Sequence, residues 1–312
     1  MLKIGIIGLG DIAQKAYLPV IGKKNIEIHL YTRNEDTLQR LGEQYRIENR
    51  HTSLESMINA GITGAFVHAP TAAHEKLVEQ LLSHNIHVYV DKPITYDYSS
   101  SEKLVKFAEK KNRLLTVGFN RRHAPVYQKL KEVQNPNMII MQKNRRSLPG
   151  DVRTFIFDDF IHVIDTILYL FQYPIVRLVV SGKKRQDKLY HVVVQFISAD
   201  GATAIGIMNR DSGTVEERLE VFASGEKRVV HNFSDVIIHQ NKTETRLGSD
   251  DWETTLSKRG FEQIVETFLL ALNSETPRNN QDALFTHKIC EQVVDKLNAI
   301  WKNGVQVTPD QQ

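Results

Sequence analysis

The chain is almost without cysteine. Cys290 is the only one in 312 residues, which excludes an internal disulfide and a cysteine-based metal cluster. It also lacks a dominant charge, because 40 Lys and Arg against 37 Asp and Glu leave a net +3. The densest basic patches, "KNRR" and "GKKR", have no aromatics interleaved, so the stacking surface of a nucleic-acid binder is missing. No apolar run approaches the roughly 20 residues that a membrane span needs. The N-terminus shows neither the charged region nor the cleavage site of a signal peptide. His84, His87 and His123 have no carboxylate or histidine at metal-ligand spacing, so no metal is expected. What is left is a soluble, cytoplasmic protein acting on a small molecule, without nucleic acid or membrane as a partner.

What is present is length and alternation. A chain of 312 residues is long enough for two cores. Up to about residue 120, apolar strands alternate with helical patterns: strands at 3–7, 26–31, 65–68, 87–90 and 114–118, helices at 34–45, 70–83 and 98–112. That order predicts a parallel, doubly wound α/β sheet. Beyond it, helices near 126–134 and 157–171 precede a strand-rich stretch, 175–246, with hairpin turns at Ala199-Asp200-Gly201 and Ser224-Gly225. Helices near 261–273 and 281–301 close the chain. The expectation is residues 1–120 as one domain and 121–312 as an α+β domain with a mostly antiparallel sheet.

The first strand runs into Gly8-Leu9-Gly10-Asp11-Ile12-Ala13. Gly8 permits a tight turn, Gly10 lets a phosphate approach the backbone, and Ala13 stands where a third glycine would serve helix–strand packing. A helix beginning near Asp11 would direct its N-terminus at a pyrophosphate. The second strand ends in Thr32-Arg33-Asn34, with no carboxylate where an NAD enzyme usually keeps one. Those groups suit the 2′-phosphate of NADP more than the bare ribose of NAD, although Arg33 stacking on adenine would fit either.

Three other stretches carry chemistry. "VYVDKPIT" places Lys92 at the carboxyl end of a strand, the edge where open parallel sheets bind ligands. Taken alone, a solvated surface lysine, the usual fate of Lys, is the better reading. In "FDDFIHVIDTILYLF", Asp158, His162, Asp165 and Tyr169 fall in one stripe at 3.6 residues per turn. An acid four residues before a histidine can fix its tautomer and support a general base; a plain solvent-facing stripe is the other reading. In "TVGFNRRHAP", Arg121 and Arg122 fit an anionic substrate group, the cofactor, or ordinary ion pairs. His74, at a helix start, reaches the cofactor or packs the helix end. Cys290, beside Ile289 and Val293, reads as a buried, inert thiol.

Together these motifs resemble the Gfo/Idh/MocA oxidoreductases: the glycine turn, Ala69-Pro70-Thr71 after a strand, Asp91-Lys92-Pro93, Gly118 to Arg122, and Asp158 to Asp165, in the family's order. "DIAQKAYLP", "FVHAPTAAH", "DDFIHVIDT" and "LSKRGF" make the pattern similar to the MviM-type branch. The resemblance covers essentially the whole chain. It implies an N-terminal Rossmann domain and hydride transfer between NAD(P) and a secondary alcohol or ketone of a sugar, cyclitol or related hydroxy compound. His162 would take the hydroxyl proton, Lys92 would hold the hydroxyl, Asp158 would orient His162, and Asp165 would support from behind. Pro70 and Thr71 would line the nicotinamide ribose, and Asp91 would serve the cofactor pocket. Two residues depart from the family pattern: Asp91 replaces a Glu, and Phe160 replaces the Gly between Asp158 and His162, narrowing the cleft or facing the core. Loops 143–152 and 248–255 would choose the substrate. The same resemblance implies a homodimer or homotetramer formed through the open face of the antiparallel sheet. It leaves two other functions open: a redox-assisted sugar bond-cleaving enzyme, and a nucleotide-binding regulatory protein that has lost turnover.

Overall fold

The computed structural model describes residues 1–248, 250–273 and 281–302. By contacts the chain divides into two compact units, one of residues 1–125 with 250–285, the other of 126–249 with 286–312.

The first unit is built on six strands: β1 Lys3–Ile7, β2 Glu27–Tyr31, β3 Asn49–His51, β4 Gly64–Val67, β5 His87–Val90 and β6 Leu115–Val117. They pair in parallel, in the order β3-β2-β1-β4-β5-β6. The order reverses between β1 and β4, which opens a crevice at their carboxyl ends. The helices between strands are α1 (residues 11–21), α2 Glu35–Tyr45, α3 Leu54–Asn59, α4 His74–Ser83 and α5 Tyr98–Lys110. Short cappers start three of them. Asn34, Ser53 and Asp97 each accept an N–H from the first turn of α2, α3 and α5.

β3 and α3 carry no apolar run that sequence periodicity can register. Asn49-Arg50-His51 is a strand because it pairs with β2 and because His51 hydrogen-bonds His29 and Ser56 at 2.9 Å each. Residues 255–272 join this unit for a packing reason. After α6 Pro125–Lys131 and α7 (residues 152–170), the chain returns to the first unit through α8 Thr255–Lys258 and α9 Phe261–Leu272. Ile264, Val265 and Phe268 of α9 are at most 1% exposed within the core that Ile4, Ile6, Leu30 and Phe66 form. The Phe268 ring lies 4.9 Å from Phe66 and 5.6 Å from Tyr89. Burying each such side chain contributes about 1.5–3 kcal/mol, a gain that a single cut after residue 120 does not anticipate.

The second unit carries eight strands: β7 Met138–Asn144, β8 Ile175–Arg185, β9 Lys188–Ser198, β10 Thr203–Asn209, β11 Glu216–Phe222, β12 Glu226–His231, β13 Val236–Gln240 and β14 Thr243–Leu247. Their order is β14-β13-β12-β11-β7-β10-β9-β8, antiparallel except for β7 with β10. One face packs on α7. At Gly206 an added Cβ would lie 3.0 Å from both Val163 and Ile167, so the helix sits directly on the backbone of β10. α10 Gln281–Lys302 starts in the first unit and continues in the second; it buries Cys290, Val293 and Leu297. Burial pushes the Cys290 thiol well up, and Asp165 adds to it.

α7 differs from its sequence expectation. It starts five residues earlier, where Asp151 accepts the Thr154 N–H, and Phe155–Phe160 winds as a π-helix before Ile161–Leu170 resumes α geometry. The wider turn shifts the helix phase, so the polar residues do not form one straight stripe. Asp158, His162 and Tyr169 are half-buried, whereas Asp165 is 1% exposed and accepts a 3.1 Å hydrogen bond from Thr286 of α10. Phe160 is 0% exposed, so it belongs to the core and does not narrow a cleft.

Candidate active site

At the carboxyl end of β1, Gly8 has φ +84°, and a Cβ there would lie 2.5 Å from the Ala69 nitrogen. No side chain fits between the turn and the strand end beside it. At Gly10, in contrast, an added Cβ meets nothing within 4 Å. That open space, at the N-terminus of an eleven-residue helix, is what a pyrophosphate requires. Asp11 and Ile12 are exposed, while Ala13 is fully buried, so its methyl packs where a glycine would otherwise sit. Gln14, which sequence patterning does not single out, braces the turn. Its Nε2 donates to Leu9 O at 2.7 Å, and its Oε1 accepts from Arg40 at 2.9 Å.

The two glycines therefore have separable roles. Gly8→Ala is expected to cost about 1–3 kcal/mol of stability through backbone strain and to weaken NAD(P) binding. Gly10→Ala should leave the thermal midpoint unchanged and weaken only cofactor binding. Thermal melts and fluorescence titration with NADH and NADPH check both.

At the end of β2, Thr32 is half-buried and Arg33 exposed. Asn34 Oδ1 accepts the Thr37 N–H at 2.8 Å, so this oxygen is committed to capping α2. Glu35 and Asp36 occupy the first turn of α2. Past β4, Pro70 is exposed and Thr71 half-buried, in a short 3₁₀ turn leading into α4. His74 is 1% exposed, with Nδ1 3.0 Å from Pro93 O and Nε2 2.8 Å from Ala69 O. Each ring nitrogen thus faces a backbone carbonyl, and the one that carries the proton in the neutral ring donates to it. Burial pushes the His74 pKa down against the pull of those carbonyls.

Asp91 follows β5, and its shortness relative to Glu has a partner. His68 Nδ1, from the end of β4, donates to Asp91 at 2.8 Å, and the Tyr17 ring lies tilted by 31° against His68 with centroids 3.9 Å apart. The Tyr17 and Tyr89 hydroxyls are 2.7 Å apart. Burial by itself would raise the Asp91 carboxyl, but the His68 ring and the hydrogen bonds from His68 and Tyr17 hold it below the usual carboxylate range. An ionised carboxylate, its side chain 16% exposed, therefore precedes Lys92, and both residues are half-buried. The sequence shows Asp91 but not the His68 and Tyr17 that anchor it.

Two motifs that are far apart in sequence form one piece. Asn120 Nδ2 of "GFNRR" donates to Arg259 O of "LSKRGF" at 2.8 Å. Gly260, at φ +81°, would place a Cβ 2.2 Å from Asn120 O. Arg121 is 7% exposed in this junction. His123 is pushed down to about 4 by burial and by the Arg122 charge, so it is neutral near pH 7.

In the second unit the helix that carries His162 is anchored by Asp159, which sequence reasoning passes over in favour of Asp158. Asp159 is 8% exposed. It accepts from Lys143 of β7, itself 3% exposed, and from Arg145 Nε at 3.2 Å and Nη2 at 3.3 Å. Burial would raise its pKa, but Lys143 and Arg145 hold it far below the carboxylate range. The sequence signal was the adjacent acid pair. Which member turns inward depends on the π turn. Thr166 Oγ1 donates to His162 O at 2.7 Å within the same helix.

Residues 2–119 match a family described as an oxidoreductase family with an NAD-binding Rossmann fold, and residues 125–241 match the C-terminal domain of YceM-like proteins. The protein named YceM from Salmonella typhimurium is 29% identical, over 97% of this chain and 98% of its own. The crystal structure of a Gfo/Idh/MocA family oxidoreductase from Vibrio cholerae is 32% identical, covering 95% of this chain and 99% of that one with a TM-score of 0.88. The dehydrogenase MviM from Clostridium difficile is 30% identical, with the same coverage and TM-score.

Proposed function

From the premise that this chain belongs to the Gfo/Idh/MocA oxidoreductase family, in its MviM-like branch, we propose that it moves hydride between a nicotinamide cofactor and a secondary alcohol or ketone of a sugar, cyclitol or related hydroxy compound. The observation that carries the reading is the carboxyl edge of the parallel sheet. There the tight Gly8 turn, the open space at Gly10 and the Asp91-Lys92 pair follow β1 and β5, at the edge where such sheets bind ligands.

When bound, the nicotinamide gives or takes the hydride. The chain's own residues handle the proton and the substrate oxygen. In the oxidative direction His162 takes the hydroxyl proton at a ring nitrogen, and in the reverse direction it returns it. Lys92 donates a hydrogen bond to the same oxygen, and its charge favours the alkoxide. Asp158 orients His162, and Asp165, tied to Thr286, supports the helix behind them. Gly8, Gly10, Asp11, Ile12 and Ala13 would hold the pyrophosphate, and Pro70 and Thr71 the nicotinamide ribose. Exposed Arg33 beside Thr32, with no carboxylate ending β2, favours NADP over NAD. The half-exposed Val193, Ile197, Ile205 and Ile207 on the sheet face away from α7 favour assembly of two or four copies through that face.

A spectrophotometric screen of sugars, polyols and hydroxy acids with NAD and NADP tests the reading. Reduction of either cofactor by at least one class is expected, with NADP preferred. A protein that binds cofactor tightly and oxidises none of them would overturn it.

A further inference from the structure

Arg210 directly follows β10 and is fixed at its backbone: its N–H donates to Tyr190 O at 2.8 Å, and its carbonyl accepts from Leu148 at 2.7 Å. Its side chain is 12% exposed and lies over the Phe155 ring at 4.9 Å. Among the described residues its guanidinium makes no hydrogen bond, and its Nε is buried without a partner. The nearest carboxylate is Asp159, 4.0 Å from Nε. Both Asp159 oxygens already accept from Lys143 and Arg145, so Arg210 is left as a third cation. Asp158 also bears on the guanidinium, and Arg145 repels it. Glu217 stands opposite Lys143 on β11 and accepts from Tyr127 at 2.7 Å. Gly150, where an added Cβ would lie 3.5 Å from Arg210 Nη1, stands beside the guanidinium on another side.

An arginine cannot shed its proton, and sequestering its donors without acceptors is costly. A fold that fixes the backbone of such a residue, stacks it on an aromatic ring and gives the nearest carboxylate to two other cations has left a planar fork suited to an oxyanion. We propose that Arg210, with Arg145 beside it, receives an anionic group on the substrate: a carboxylate or a phosphate carried by the sugar or cyclitol. The position fits, because Asp158 and Asp159 lie one turn before His162 on α7. The inference rests on the reading of His162 given above and narrows its substrate class.

The test separates the two claims. The Arg210 Nε–H resonance, assigned by its loss in Arg210→Lys, is followed in nitrogen-15 spectra while acetate, inorganic phosphate or chloride is added to the full chain. A saturable shift with acetate or phosphate and not with chloride is expected, and which of the two acts tells carboxylate from phosphate. Equal response to all three, or none at tens of millimolar, overturns the site whatever the enzyme oxidises. In turnover, uronates and phosphorylated sugars are compared with their uncharged counterparts. Arg210→Gln should raise KM for the accepted acid roughly 10- to 100-fold, with little change in kcat, and Arg210→Lys should recover part of it. Full activity of Arg210→Gln on acidic substrates overturns the inference and leaves the oxidoreductase reading standing. An anion-dependent shift in a protein without turnover would do the reverse.

Discussion

His162→Ala is expected to lower kcat by about 10²–10⁴-fold, the usual contribution of a positioned general base, while NAD(P) affinity stays at the wild-type value. The ring belongs to a helix braced independently of it. Asp159 is held by Lys143 and Arg145, Asp165 by Thr286, and Phe160 lies wholly in the core. Removing a half-buried imidazole should therefore leave the fold intact, and a thermal melt alongside the kinetics checks this. Lys92→Met provides the second arm. If the two side chains serve one reacting oxygen, the double variant will be barely slower than the worse single variant, since groups that act as a unit are strongly non-additive. Losses that multiply would assign them to separate steps, and wild-type turnover in His162→Ala would remove the proton-transfer role altogether.

Asp159→Asn should have the largest effect on stability. It leaves two cations, Lys143 at 3% exposure and Arg145, without their shared anion, and breaking a buried pair by removing one partner costs about 3–5 kcal/mol. The sign with pH follows from the depressed carboxyl. A group whose folded pKa lies below its unfolded value stabilises the fold fully above the ordinary carboxylate range and loses that contribution as the pH falls toward the folded pKa. The deficit of the Asn variant in urea midpoint should be greatest at neutral pH and narrow only below about pH 4. A deficit that is the same at pH 7 and in acid would show that packing, and not charge, is what Asp159 supplies.

The sequence was legible wherever the cause of structure is local. The apolar run 3–7, the two glycines after it and the alternation through residue 118 specify their own conformations, so the parallel sheet and the turn at Gly8 follow from neighbours in the chain. Asn34 reads differently at the two levels. Its amide N–H groups suit a phosphate by type, whereas the fold shows the use of its oxygen: Oδ1 accepts the Thr37 N–H and caps α2, because an uncapped helix start leaves donors unpaired. The choice between Asp158 and Asp159 could not be read from period 3.6, since a π turn at Phe155–Phe160 advances the helix phase and the cations that select Asp159 come from another element.

By itself, then, the sequence determined five of the six parallel strands and the alternation of strand with helix, and the residue types that could bind a dinucleotide and move a proton. Only the tertiary structure decided that His68 anchors Asp91, that Gly260 must be bare to admit Asn120, that α8 and α9 complete the first core, and that Arg210 Nε is left without an acceptor among the described residues. The physical reason is range. Backbone conformation and capping are fixed by groups a few bonds apart, whereas burial, charge pairing and the loss of a hydrogen-bond partner depend on which distant segments are brought within a few ångströms of one another.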